Sequence, residues 1–163
     1  MEDRPTGIAA LDERIPFLLS QLGSHVAAEF QRRMSGIGVE PRTYAVLMAL
    51  ATENGQSQRQ LSARLGIHRN AMVVVIDALE ADGLVKRMAH PEDRRAFAIT
   101  LTDRARKLLP SLDEAACALE DTVTEPLSAV ERNTLRELLQ RIACGAGLIP
   151  GVHPQFADRA ADR

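Results

Sequence analysis

The chain has 163 residues, of which 45% are hydrophobic, 26% are charged and 3% are aromatic. These proportions exclude a largely disordered chain, and the length suits one compact domain, alone or with an oligomerising arm. The sequence contains no run of about 18 apolar residues that could span a membrane, and its first residues lack the apolar segment of a secretory signal. Its two cysteines cannot form a disulfide scaffold. We therefore expect a cytoplasmic protein.

The net charge of −2 conceals an uneven distribution along the chain. Residues 57–107 contain ten Lys/Arg and six Asp/Glu, a local charge of +4, and the remainder carries −6. A basic centre between acidic flanks is expected if the centre meets phosphate groups and the flanks do not. A solvated charged surface would show the same asymmetry, so charge alone does not decide the function.

Two helices are predicted before residue 55. Apolar residues from Leu11 to Phe30 recur at spacings of three and four, which is typical of an amphipathic helix. Pro16 either starts or kinks this helix, and the segment 35–38, with two glycines, ends it. Pro41 stands where a first helical position is expected, so a second helix begins there.

The next segment reads as a short helix, a tight turn and a longer helix. Ser57 and Gln60 form an S-x-x-Q capping box that begins the short helix, and Gly66 ends it. The β-branched residues 73–76 would favour a strand after this turn. Length, the polar residues Asp77 and Glu80 and a stop at residues 82–83 favour a helix over 69–81, which we predict.

Two short strands, 84–88 and 97–101, then flank the polar loop 89–96 and predict a β-hairpin. Thr102 is a good N-cap for a long helix that Pro110 would bend. A second capping box at Ser128 opens the last helix, and the composition after residue 144 predicts a flexible tail.

This order of elements is that of a helix-turn-helix followed by a hairpin with a basic tip, a winged helix-turn-helix. In such a motif the second helix enters the major groove of DNA and presents its N-terminal residues to base edges. Those residues here are His68, Arg69 and Asn70. Arginine suits a guanine edge and asparagine an adenine edge. The alternative is a winged-helix adaptor that binds other proteins and no DNA.

Four segments resemble the MarR family of multiple antibiotic resistance regulators: residues 60–67, 79–87, 91–96 and 99–102. The most specific part is the D-x-R wing followed by a strand and Leu101-Thr102. The resemblance implies a mainly α-helical fold with a small β-hairpin, and a homodimer that binds a palindromic operator in double-stranded DNA. It implies a dimerisation arm over 1–35, a DNA-binding domain over 41–101, C-terminal dimerisation helices over 102–144 and a flexible tail over 145–163.

The resemblance also implies roles for the wing and for the recognition helix. Arg95 matches the family's minor-groove arginine, with Asp93 expected to orient it and Arg94 to lie on phosphate. The sequence departs from the family at His68, a poorer cap than the usual Ser or Thr. It departs again at Val73, because a valine side chain can only contact thymine methyl groups or pack. The expected function is that of a ligand-responsive repressor.

Members of this family often respond to a small phenolic or anionic effector near the junction of the dimer helices and the winged domain. The candidates in the matching region are His25, Phe30, Arg32, Tyr44 and Met48. Apolar residues at helical spacing are more often core than pocket, so a purely structural role stays open for this set. Cys117 lies on an apolar helical stripe, which predicts that it is buried.

An enzyme is the rival class, and the sequence offers little for it. No nucleophile elbow, zinc-protease, Walker or dinucleotide-binding motif is present. The four histidines are scattered without metal-ligand spacing, so neither a catalytic site, a metal nor a cofactor is expected.

Overall fold

The computed structural model describes residues 7–91 and 93–154. It is mainly helical with one antiparallel β-hairpin, which confirms the predicted fold class. The elements in chain order are α1 (Ala9–Asp12), α2 (Ile15–Ile37), α3 (Pro41–Thr52), α4 (Gln58–Leu65), α5 (Arg69–Ala81), β1 (Val85–Ala89), β2 (Phe97–Leu101), α6 (Asp103–Thr124) and α7 (Ala129–Gly145).

Prolines and glycines set the bounds of α2 and α3. Pro16 is the second residue of α2, so it begins the helix instead of kinking it. Gly38 ends α2 in the left-handed conformation, with φ of 81°, and its N–H donates to the carbonyl of Ser35 at 3.0 Å. Pro41 is the first residue of α3, as its position in the sequence predicts.

The two helices of the helix-turn-helix form as predicted. The Ser57 hydroxyl accepts from the backbone N–H of Gln60 at 3.2 Å, and the Gln60 side chain accepts from the N–H of Ser57 at 2.8 Å. The segment with four β-branched residues is a helix, α5, because Met72, Ile76 and Leu79 all fall on one buried face. Burial of that face outweighs the local preference for a strand.

The hairpin is fastened to the start of the helix-turn-helix. β1 and β2 pair from Val85 with Leu101 to Ala89 with Phe97, so β1 lies one residue further along than predicted. The segment 54–57 adds a short third edge to β2. The N–H of Gly55 donates to Ile99 at 3.0 Å, Ile99 donates back to Gln56 at 2.9 Å, and Ser57 forms a bridge with Ala98.

One apolar core joins α2 to α6 and the hairpin. Leu47 on α3, Leu61 on α4, Ile76 on α5, Ile99 on β2 and Leu112 on α6 are all fully buried within it. No helix in the described parts of the chain has the length and apolar character of a membrane span. Because these elements share one core, α5 and the hairpin are held in a fixed relation to each other.

The two ends of the chain leave apolar side chains exposed. Examples are Ile15 and Leu22 on α2, and Val130 and Ile142 on α7. Helix α7 is joined to α6 by the ion pairs of Arg132 with Asp121 and of Arg136 with Glu120. The four apolar side chains named above stay exposed within the described part of a single chain.

Cys117 is exposed, which corrects the prediction that it is buried. Leu112 and Leu119 define the buried face of α6, and residue 117 is turned about 200° around the helix axis from Leu119. Residues 155–163 of the predicted tail lie outside the described residues, whereas residues 150–153 line a cavity beside α2 and α3.

Candidate nucleic-acid interface

Helix α5, the predicted recognition helix, presents a polar N-terminus. His68 is its N-cap, and its Nδ1 atom accepts from the backbone N–H of Asn70 at 3.3 Å. This nitrogen takes the place of the hydroxyl oxygen expected from Ser or Thr and satisfies one of the open donors of the first turn. The side chains of His68, Arg69 and Asn70 are all exposed, so the three predicted residues lie at one accessible helix end.

Beyond the first turn, the outward face of α5 is partly apolar. Val73 and Val74 are 42% and 68% exposed, whereas Met72 and Ile76 on the opposite face are fully buried. Val73 and Val74 follow Asn70 by three and four residues, so all three share the exposed face. The structure thus places the predicted Val73 beside Asn70 and adds Val74 to the same surface.

The wing tip is shaped by Asp93. Its side chain accepts from the backbone N–H of Arg95 at 2.9 Å, and its carbonyl accepts from Ala96 at 3.1 Å. We expected Asp93 to orient the guanidinium of Arg95, but this bond is made to the backbone, because the short Asp side chain closes a local turn. Arg94 and Arg95 are both exposed at that turn.

Arg87 on β1 joins the hairpin to the recognition helix. Its guanidinium forms ion pairs with Asp77 and with Glu80, which lie one turn apart on α5. The backbone N–H of Arg87 also donates to the Glu80 carboxylate at 3.2 Å. The Arg87 side chain is 20% exposed, whereas Asp77 and Glu80 are 59% and 40% exposed, so only the arginine side of this contact is shielded from solvent and from salt.

The charge state of Arg87 follows from these neighbours. Partial burial opposes its positive charge, but the hydrogen bonds and charges of Asp77 and Glu80 outweigh that effect and raise the pKa of Arg87 above its usual value. The two carboxylates would otherwise add negative charge to the helix that carries Arg69 and Asn70. Arg87 offsets part of that charge and so makes this surface more compatible with a polyanion.

Sequence reasoning missed the role of Arg87. The sequence does contain a pattern that could have indicated this role: two carboxylates lie three residues apart on one helix, and a basic residue follows in the next strand. What the sequence could not supply is the distance between α5 and β1, which only the packed fold determines.

A cavity of about 680 Å³ lies beside the helix-turn-helix, between α2, α3 and residues 150–153. Phe30, Tyr44 and Met48 line it, as predicted. His25 and Arg32 do not. The lining positions of α2 are 23, 26, 27, 30 and 31, one helical face, and residues 25 and 32 lie off that face.

The cavity combines aromatic walls with two polar groups. The rings of Phe30 and Tyr44 meet edge to face with centroids 5.2 Å apart. Burial, followed by the charges of Asp113 and Cys117, raises the pKa of the Tyr44 phenol, which therefore stays protonated at neutral pH. Arg64 on α4 also lines the cavity, and its Nη1 atom lies 3.4 Å from a carboxylate oxygen of Glu53.

Arg64 and the C-terminal residues 150–153 are cavity residues that sequence reasoning missed. Arg64 sits on the first helix of the helix-turn-helix and looks like a surface charge in the sequence. Residues 150–153 lie in the segment predicted as a flexible tail. Within residues 7–91 and 93–154, no group of three His, Cys, Asp or Glu side chains is placed to hold a metal ion.

Comparison with known proteins supplies the family. A family model described as the MarR family matches residues 37–96, the segment that contains the helix-turn-helix and most of the wing. The transcriptional repressor CouR, solved with a 23-mer DNA duplex, is 30% identical; the match covers 86% of this chain and 99% of CouR, with a TM-score of 0.75. The chain belongs to the MarR family.

This MarR-family chain is similar to two further proteins. CouR from Rhodococcus jostii RHA1, solved with p-coumaroyl-CoA, is 31% identical, covers 82% of this chain and 94% of its own, and has a TM-score of 0.69. A protein from Thauera aromatica whose name links it to transcriptional regulation of the hcr operon is 32% identical over 105 residues, which is 64% of this chain. This chain matches 63% of that protein's length.

The contact between Arg87 and α5 generates a prediction about stability. Arg87→Met keeps the apolar stem but leaves Asp77 and Glu80 unpaired, so we expect the free energy of unfolding to fall by about 1–3 kcal/mol. Urea denaturation at fixed protein concentration measures it. Arg136→Met is the matched control, because its ion pair with Glu120 is more exposed, and we expect it to cost less than about 1 kcal/mol. Equal losses in the two variants would contradict the role given to Arg87.

Proposed function

We propose that this MarR-family chain is a ligand-responsive transcriptional repressor that acts in the cytoplasm and binds a palindromic DNA operator as a homodimer. One observation carries the proposal: an exposed polar helix end and an exposed pair of wing arginines lie on two elements that a shared core and the ion pairs of Arg87 hold together. CouR is a transcriptional repressor, and the name of the Thauera aromatica protein refers to transcriptional regulation of the hcr operon. We propose no catalytic activity, metal or cofactor for this chain.

In the proposed complex, α5 lies in the major groove and the hairpin lies against the neighbouring minor groove. Arg69 and Asn70 then meet base edges, with arginine suited to guanine and asparagine to adenine. Arg95 reaches into the minor groove, where narrow A·T-rich DNA concentrates negative potential, and Arg94 lies on phosphate. The exposure of all four side chains supports this arrangement.

The exposed apolar residues at the two ends of the chain support the homodimer. Side chains such as Ile15, Leu22, Val130 and Ile142 lose contact with water if α1, α2 and α7 of two copies pack together. A two-fold axis through such an interface would present two α5 helices to DNA, and an operator with two inverted half-sites matches that symmetry.

The cavity supports an effector that is phenolic or anionic. Its volume is in the range of small-molecule sites, and Arg64 offers a cation for a carboxylate or a phosphate. The protonated Tyr44 phenol offers a hydrogen-bond donor. An anion that bound Arg64 would compete with Glu53 for it, at the helix that begins the helix-turn-helix.

The wing and the recognition helix should respond differently to substitution. We expect Arg94→Ala to make the plot of log association constant against log salt concentration less steep by about 1.8 per dimer, because two phosphate contacts are lost. We expect Arg95→Ala to weaken binding most on duplexes with A·T-rich flanks. Asn70→Ala should lose about 1–3 kcal/mol of discrimination between the operator and a scrambled duplex.

Fluorescence anisotropy titrations at several salt concentrations measure these effects, on a duplex enriched from a random library with this protein. Arg32→Ala is the matched control, since Arg32 is exposed on α2 outside the helix-turn-helix and hairpin. The winged-helix adaptor gains support if wild-type protein shows no salt-dependent binding. Loss of discrimination in Arg32→Ala equal to that in Asn70→Ala would remove the recognition role of Asn70.

The cavity yields a prediction with p-coumarate and p-coumaroyl-CoA as probes. We expect at least one of them to bind the wild type and to lower its affinity for the enriched duplex. Arg64→Met should weaken that binding about tenfold or more, because a charge-assisted hydrogen bond is lost. Isothermal titration calorimetry measures the affinity of each variant for the two probes. His25→Ala, outside the cavity, should behave as wild type, and unchanged binding by Arg64→Met would refute the assignment of Arg64.

A further inference from the structure

The two valines on the outward face of α5 have no explanation within the chain. Val74 is 68% exposed and Val73 is 42% exposed, although both belong to a helix whose other face is fully buried. Branching at Cβ makes valine a weaker helix former than most polar surface residues. An exposed valine therefore adds little to the helix or the core, and a partner that covers it is the contact through which it would contribute.

The neighbours of the valines indicate the kind of partner. Asn70 lies one turn before both of them on the exposed face, and Arg69 lies beside it. Asp77 lies one turn beyond, and Arg87 offsets part of the charge of Asp77 and Glu80. The groups that suit a polyanion therefore lie on the N-terminal side of the apolar patch, where its nearest polar neighbour is an amide of the type that reads adenine.

Two exposed valines are too small a patch to hold two copies of the chain together. The ends of the chain already offer a separate apolar surface on α2 and α7. DNA instead has phosphates for Arg69 and, in the floor of the major groove, one apolar group that a valine can contact: the C5-methyl group of thymine.

We propose that Val73 and Val74 read thymine methyl groups, so that each half-site carries thymine next to the base pair contacted by Asn70. The proposal rests on the DNA-binding function proposed above and adds to it the identity of the bases that are read. Around the helix axis the two valines lie on either side of Asn70, one turn further along, and they point to thymines on one or both strands beside the adenine.

The test removes the methyl groups one at a time. Double-stranded DNA enriched from a random library is synthesised with deoxyuridine in place of each thymine, which deletes the methyl group and leaves the base pair intact. We expect wild-type affinity to fall about fourfold for each contacted methyl group. For each variant we compare the affinity for the thymine duplex with the affinity for the uracil duplex. If Val74 or Val73 contacts the methyl group, its substitution by alanine should bring that ratio toward one at the contacted position, because the contact is already lost.

Val130→Ala is the matched control. Val130 is 74% exposed on α7, and the same substitution there should leave the thymine-to-uracil ratio unchanged even if it alters overall affinity. Both α5 variants are expected to fold, because alanine is the better helix former and both sites are solvent-accessible. Circular dichroism confirms that before the titrations.

The outcomes separate this proposal from the function on which it rests. If no sequence is enriched from the library, the proposed sequence-specific function fails and this inference fails with it. If a sequence is enriched but uracil substitution changes nothing, or changes wild type and both valine variants equally, the DNA-binding function stands and the thymine reading is overturned.

Discussion

The contact of Arg87 with Asp77 and Glu80 is the interaction on which the proposed interface depends. It fixes the hairpin to the recognition helix from the solvent side, while the core fixes them from within. It also places a positive charge between two carboxylates that lie on the helix expected to face DNA. A winged domain needs both effects, since base reading requires a fixed geometry and a polyanion is repelled by uncompensated carboxylates.

Other hydrogen bonds that hold the hairpin lie close to the cavity. The side-chain carbonyl of Asn54 accepts from the N–H of Leu101 at 2.9 Å, so β2 is held by the segment that follows α3. The residue before Asn54 is Glu53, the partner of Arg64 in the cavity wall. Buried Gln56 donates to the carbonyl of Glu53 at 2.7 Å and so ties the same segment to the end of α3. A ligand that displaced Glu53 from Arg64 would therefore act one residue away from the contacts that hold the hairpin.

Much of the fold could be predicted from sequence signals that act locally. The capping boxes at Ser57 and Ser128, the N-cap at Thr102 and the proline at residue 41 all mark helix starts that the structure shows. Such signals act within one turn of helix, so the sequence displays them directly. The helix α5 was predictable despite its valines because the spacing of buried residues carries more free energy than local propensity.

What the sequence could not show depends on contacts between distant segments. The ion pairs of Arg87, the third edge that residues 54–57 add to β2 and the place of residues 150–153 in the cavity wall all join segments that packing brings together. His25 and Arg32 were misplaced for a related reason. They lie in the right stretch of α2 but off the face that lines the cavity, and only the rotation of the helix against α3 settles which face that is. The prediction that Cys117 is buried was wrong for the same reason, because the residue lies outside the face of α6 that the core buries.

In the proposed complex, two copies of this chain place two recognition helices on one DNA duplex. Sedimentation equilibrium of the protein with its enriched duplex, with DNA and protein followed at separate wavelengths, tests it directly. We expect each duplex to carry a protein mass of about twice the 17.8 kDa of one chain, and the free protein at micromolar concentration to have the same doubled mass. A single chain bound per inverted-repeat duplex, with free protein at the mass of one chain, would contradict it.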